Sequence, residues 1–314
     1  MTQPQHTSPS PARPSAARFI AGNACILAAS IFWGVNISFT KALIPEWMTS
    51  EGISAVRLIG GCALFWLASV FVRNSRIDRS DWKFIALGGT VGLFLFIYLF
   101  VMSLRYANPI DVSIIMTLPP MFVILINAIF RHTRPGTVEL LGVGVSFVGA
   151  VIVILAGGSG NAGSDNLLGD LLAVASSVCY ALYLVFLEGP THRYRPVTLL
   201  RWVFLFAAVP AVILTIGFDH MPILHTTQAA PWLEIGFILL CPTFLAYFLV
   251  QPAMRAIGSE LVSLYQYLVP VFATVSAVLM GLDRLKIIQI VAMIIIIGGM
   301  ALTNVGKRRH TRAK

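Results

Sequence analysis

Residues 105–122 read RYANPIDVSIIMTLPPMF, and residues 255–272 read RAIGSELVSLYQYLVPVF. The stretches lie 150 positions apart and share Arg105/Arg255, Ser113/Ser263, Pro120/Pro270 and Phe122/Phe272. The same offset, with no gap, aligns Trp82 with Trp232, Arg134 with Arg284 and Gly149 with Gly299, giving 13 identities in 68 positions. Common greasiness produces matched leucines; it does not produce matched arginines, serines and prolines. Upstream, Trp33 and Asn36 align with Tyr180 and Tyr183, and Arg57 with Arg201, at slightly smaller offsets that loop-length differences account for. The chain reads as two copies of one unit.

Apolar residues make up 57% of the 314 positions and charged residues 11%, against roughly 25% charged in a soluble domain. Mean hydropathy is +0.84. Runs near 20 apolar residues recur, each long enough for a hydrocarbon core of about 30 Å. Little chain remains for a soluble catalytic domain. Expected helices run 19–42, 52–72, 82–104, 110–130, 137–156, 168–187, 197–217, 231–252, 260–280 and 286–305. The fold class is therefore an all-α integral membrane protein of ten transmembrane helices. Five spans per copy is an odd number, so the second copy enters the membrane from the opposite side, as two inverted five-helix repeats. Residues 1–18, rich in Pro, Ser and Thr, read as a disordered cytoplasmic tail. Residues 19–156 form the first repeat, 157–167 a Gly/Ser-rich linker, 168–305 the second repeat and 306–314 a basic tail. The first apolar run is too long for a signal-peptide core, and no convincing cleavage site follows it.

The net charge of +9 reflects topology rather than a nucleic-acid partner. With the N-terminus inside, 16 of the 22 Lys and Arg fall in cytoplasmic segments and four outside, while Arg57 and Arg201 lie within spans. Both termini are expected in the cytoplasm of a cell with an inner membrane. The four cysteines lie far apart inside apolar runs and read as packing residues.

Polar side chains inside spans need partners, so they turn inward. Trp33, Asn36 and Thr40 share a face of the first helix, and Tyr180 and Tyr183 a face of the sixth. Thr117, Tyr98, Tyr247, Gln251, Gln266 and Tyr267 complete the candidate substrate-binding set. Helix–helix bridging is the structural alternative, favoured for Ser113, Ser176 and Ser263. Arg57 and Arg201 are either interfacial anchors or part of the solute path. Asp111 and Glu260 open the fourth and ninth helices and are candidates for ion coupling, though helix-start carboxylates commonly serve as caps. Asp170 is one of the acidic residues that fall outside the middle of any span. The prolines of the fourth, seventh, eighth and ninth helices are candidate hinges or simple curvature. Residues 138–155 and 287–302 are nearly free of polar groups, so the fifth and tenth helices face lipid or a second copy of the chain in a homodimer.

Walker A, HExxH and G-x-S-x-G motifs do not occur, and the six histidines fall in loops or tails. No catalytic residue, metal site or cofactor is indicated.

The stretches ILAASIFWGVNISFTKAL, AVRLIGG, SLRYANPIDVSIIMTLPPMFVIL and AMRAIGSELVSLYQYLVPVFATVSAVLMG carry a resemblance. Over about residues 20–305 the chain resembles the EamA-type transporters of the drug/metabolite transporter superfamily, with Arg105, Pro120, Arg255 and Pro270 at matching positions. That family usually shows Gly-Glu after the fourth and ninth helices. Here the sites read Phe130-Arg131-His132 and Gly281-Leu282-Asp283. The resemblance implies a ten-helix basket around a central cavity and no bond chemistry. It also implies export of amino acids or other small metabolites, with sugar-phosphate or nucleotide-sugar carriage as the variant within transporters. The expected partners are a small-molecule solute and the lipid bilayer. The readings from other classes are a membrane-embedded enzyme and a non-transporting membrane receptor.

Overall fold

The computed structural model describes residues 16–130, 135–157, 163–215 and 221–312. The described chain is helical, with no strand among the described residues. We number the helices α1 (Ala16–Leu43), α2 (Ser50–Val70), α3 (Trp82–Tyr106), α4 (Pro109–Phe130), α5 (Thr137–Gly157), α6 (Gly163–Arg193), α7 (Pro196–Thr215), α8 (Ala229–Val250), α9 (Val269–Leu279) and α10 (Ile287–Arg312). Among the described residues, eight helices are long and apolar enough to cross a membrane, and Val269–Leu279 and Ile287–Thr303 are shorter apolar helices.

Local chemistry sets the ends. Thr49 precedes α2, and its hydroxyl accepts the Gly52 N–H at 3.1 Å, filling an orphan donor of the first turn. Pro109 opens α4 where a missing N–H costs nothing. Gly281, at φ +67, terminates α9, and the Leu282 N–H closes back on the Ala277 carbonyl at 2.9 Å.

Three helices are irregular. α4 breaks between Ile115 and Pro119, because Pro119 and Pro120 cannot donate to the preceding turn. α3 carries a π-helical stretch at Gly88–Phe94, and α8 one at Leu239–Leu245. These begin 151 positions apart, close to the spacing of the sequence repeat. Past α8, helical hydrogen bonding continues through Ala246–Tyr265 rather than pausing between 252 and 260. A Cβ on Gly22 would lie 2.7 Å from that of Ala256, while Ser30 donates to the Tyr265 carbonyl at 3.0 Å. Because Pro242 lies against Trp33 and Ala256 against Gly22, the run travels along α1 toward its N-terminus, and a straight continuation would carry Tyr265 about 13 Å further that way, past Gly22 rather than back to Ser30. The run therefore doubles back within itself before α9.

Packing exchanges the two halves. α1 packs on α8 and α9, α6 packs on α3 and α4, α2 pairs with α7, and α5 with α10. Small residues make the close seams. A Cβ on Gly92 would meet the Tyr183 backbone at 2.8 Å, and one on Gly34 the Val269 carbonyl at 2.8 Å. In the α5/α10 pair Gly142 abuts Gly299, while Gly149 abuts Ala292 and Ile296. Adding 150 to 142 and 149 gives 292 and 299, so the contact reproduces itself with the partners exchanged. Ser146 donates to its own equivalent, the Ile296 carbonyl, at 3.3 Å. The apolar runs of α5 and α10 thus cover each other along one face. The opposite face stays exposed through Leu141, Phe147 and Val148 on α5 and Ile287, Val291 and Ile294 on α10.

Candidate functional site

A cavity lies between the halves. Trp33, Asn36 and Ile37 of α1, Arg57 of α2, Phe96 and Phe100 of α3, and Met116 and Pro119 at the α4 break form one side. Tyr180 of α6, Tyr247 of α8 and Val269 of α9 form the other. Counted as room for the centre of a water molecule, its volume is about 90 Å³. One water needs about 10–15 Å³ on that measure, so a small solute fits.

The π stretch of α8 lies outside the lining and holds two of its side chains, Arg57 and Trp33. Pro242 has no N–H to offer the Ile238 carbonyl, and the Thr243 hydroxyl donates to it instead at 2.8 Å. That hydroxyl also accepts Arg57 Nε–H at 3.2 Å. The Pro242 carbonyl takes the Trp33 indole N–H at 3.2 Å, and the indole meets Tyr247 edge-on with centroids 6.1 Å apart. Tyr180 leans on Phe96 at 4.8 Å. Asn36 accepts from the Thr40 hydroxyl at 3.3 Å.

Arg57 is 4% exposed. Its guanidinium sits 5.7 Å from the Phe100 ring centroid, and Nη1 has no acceptor. Among the described residues no acidic side chain lines the cavity, and Arg57 forms no ion pair. A buried donor left unsatisfied costs about 1–3 kcal/mol, more when charged.

Polar clusters close the bundle on either side. Where α1 finishes, Lys41 donates to the Leu104 and Ala107 carbonyls at 2.6 and 3.1 Å, the favourable place for a cation at a helix C-terminus. Asp283 accepts the Ile110 N–H at 3.3 Å, and Gln289 donates to Asp111 at 2.8 Å. Burial pushes the Asp283 carboxyl above its ordinary range, opposed by the N–H groups of Arg284 and Ile110 and by Lys286 and Lys41. Asp170 lies fully buried in the same region with neither oxygen hydrogen-bonded. Where α3 begins, Arg193 reaches both Asp81 oxygens at 2.9 and 3.0 Å. The Tyr194 hydroxyl donates to the second of them at 2.7 Å.

Of the residues expected at the site, Trp33, Asn36, Arg57, Tyr180 and Tyr247 meet around the cavity. Tyr183 is buried behind Tyr180, stacked at 5.7 Å, with Gly92 against its backbone. Tyr98 stacks on Phe94. The Thr117 hydroxyl donates to the Ile114 carbonyl in the α4 break. Tyr267 is half-buried against the main core. Arg201 lies 5.1 and 5.4 Å from the rings of Trp66 and Trp202, away from the cavity. Asp111 is held by Gln289 rather than acting as a simple cap. The side chains of Gln251, Glu260 and Gln266 lie outside the described residues. Thr243, Gln289 and Asp170 had no place in the candidate site read from sequence, and Phe96, Phe100, Met116 and Val269 give no sequence signal that separates a cavity wall from core.

Relatives of this chain are transporters by name. It is 24% identical over 280 residues to the uncharacterized transporter YyaM of Bacillus subtilis, covering 88% of this chain and 90% of that protein. It is 23% identical over 237 residues to the aromatic amino acid exporter YddG of Ancylobacter novellus, covering 74% and 79%. A solved crystal structure superposes with a TM-score of 0.62 at 19% identity, covering 92% of this chain and 98% of that one, a likeness of fold. Residues 20–155 and again 167–305 match the EamA-like transporter family. With its apolar helices, that match makes this a multi-pass membrane protein, and the chain belongs to the EamA-like transporter family.

Proposed function

We propose that this protein is a secondary carrier that exports a small amphipathic metabolite, such as an amino acid, by alternating access. In this reading ten spans form two inverted five-helix units in a cell membrane, with both termini cytoplasmic. The observation that carries it is a cavity walled by both halves, with one cation and a set of aromatic rings turned inward. Such a mixture of apolar surface and few polar groups suits a small organic ligand. The exchange of contacts between halves, the paired π stretches and the self-reproducing α5/α10 seam support the inverted arrangement. The two end clusters, Lys41–Asp283–Asp111–Gln289 and Arg193–Asp81–Tyr194, stand where gates would be, and rocking of the halves would open one while the other holds. The name of the exporter relative supports an amino-acid solute.

Counterflow in proteoliposomes tests the reading. Liposomes loaded with one unlabelled amino acid should accumulate the labelled one, first without and then with a pH gradient. Accumulation without a gradient indicates exchange; accumulation only with one indicates proton coupling. Absence of flux for amino acids, sugar phosphates and nucleotide sugars alike would favour a non-transporting role.

A further inference from the structure

Among the described residues, the cavity holds a positive charge without a negative one. Arg57 comes from α2, the Thr243 hydroxyl occupies Nε, the Phe100 ring lies beside the guanidinium, and Nη1 has no acceptor. The remaining lining is Trp33, Asn36, Tyr180, Tyr247 and apolar side chains. A guanidinium in low dielectric is stable when an anion shares the space, and its planar fork matches a carboxylate. Arg201, at the equivalent repeat position, differs in place: its Nε also lacks a partner, but the side chain is partly exposed beside two indole rings and Ser69 and does not line the cavity. The two arginines have thus diverged, and only Arg57 faces the cavity.

We infer that the transported solute is an anion at its binding end, a carboxylate that pairs with Arg57 while a flat apolar body rests between Trp33, Phe96, Tyr180 and Tyr247. The inference rests on the carrier reading of this cavity and adds the solute's charge and shape. The missing counter-charge is supplied by the cargo. Arg57 is then a specificity residue as well as an anchor, and a neutral or cationic isostere leaves the guanidinium uncompensated.

Three matched probes test it: 3-phenylpropanoate, 3-phenylpropanol and 3-phenylpropylamine. Binding is read by thermal stabilisation of the full-length protein in micelles and by quenching of tryptophan fluorescence. Wild type should bind the carboxylate at least tenfold more tightly than the alcohol or the amine. Arg57→Gln should lose that preference while keeping the affinity for the alcohol, and Arg57→Lys should keep part of it. Equal binding of all three probes to wild type, lost in Trp33→Ala, would overturn the charge assignment and leave the cavity reading intact. Binding of no probe, or binding unaffected by Trp33→Ala and Tyr247→Ala, would overturn both. The wild-type comparison alone decides the charge preference if an Arg57 variant fails to fold.

Discussion

The indole N–H of Trp33 donates to the carbonyl of Pro242 at 3.2 Å. This single bond joins the middle of α1 to the π-helical stretch of α8, one half of the chain to the other. Pro242 cannot donate in its helix, so its neighbourhood is already rearranged, and Trp33 reads that rearrangement directly.

Trp33→Phe keeps an aromatic ring, a smaller one, and removes the bond. The expected result is a loss of about 1 kcal/mol in stability, with weaker solute binding because the ring is no longer oriented. Denaturant unfolding in micelles and the probe titration measure the two effects. Unchanged values in both would mean the bond does not position the ring.

Thr243→Val preserves shape but strips a donor from the Ile238 carbonyl and an acceptor from Arg57 Nε. A destabilisation of about 1–3 kcal/mol should follow. Thr243→Ser should restore most of it, and a Ser variant as unstable as the Val one argues that the methyl group matters instead.

Gly142 and Gly144 make a matched pair on α5. The Gly299 carbonyl lies 2.5 Å from a Cβ built on Gly142, whereas nothing lies within 4 Å of one on Gly144. Gly142→Leu should cost at least the roughly 1–3 kcal/mol of an overpacked contact and lower the thermal midpoint. Gly144→Leu should leave it unchanged. Equal behaviour of the two variants would contradict the α5/α10 seam.

Asp170 is a buried carboxylate with neither oxygen hydrogen-bonded. Asp170→Asn keeps its shape and has no carboxyl to ionise, so the desolvation cost this group carries on folding disappears and the variant should be as stable as wild type or more stable, by about 1–3 kcal/mol. Melting curves at neutral pH give the answer. A clear drop would reveal a partner for the carboxylate.

Asp283 supplies a pH test. Its folded-state value lies above the ordinary 3.8, so the folded chain holds this proton more tightly than the unfolded chain does. Its contribution is present below 3.8 and is lost as the pH rises through the raised value. Wild type should lose stability relative to Asp283→Asn over that interval and keep a constant offset above it. The opposite slope in paired melting curves would mean that Lys41 and the Ile110 and Arg284 N–H groups outweigh burial.

Much of the fold was legible because apolar runs and the 150-residue offset survive in composition alone. Trp33 and Asn36 could be paired from helical spacing, and Arg57 from the cost of a charge inside a span. Tyr180 and Tyr183 share a face, yet close approach at Gly92 leaves only Tyr180 facing the cavity, and a one-dimensional pattern carries no such depth. Asp170 was passed over because the helix was expected to begin at 168. It begins at Gly163, which sets Asp170 two turns inside, beyond the reach of a capping role. The π stretches were hidden because Gly88–Phe94 and Leu239–Leu245 have compositions that an ordinary apolar helix also has.

The seam between α5 and α10 touches itself through Gly142 against Gly299 and Gly149 against Ala292, around Ser146 and Ile296. Such a surface needs no second, dissimilar surface to complement it. A half-length polypeptide carrying this surface could close the same seam with a second copy of itself, and in the joined chain Arg57 and Arg201 stand at equivalent positions in unlike surroundings.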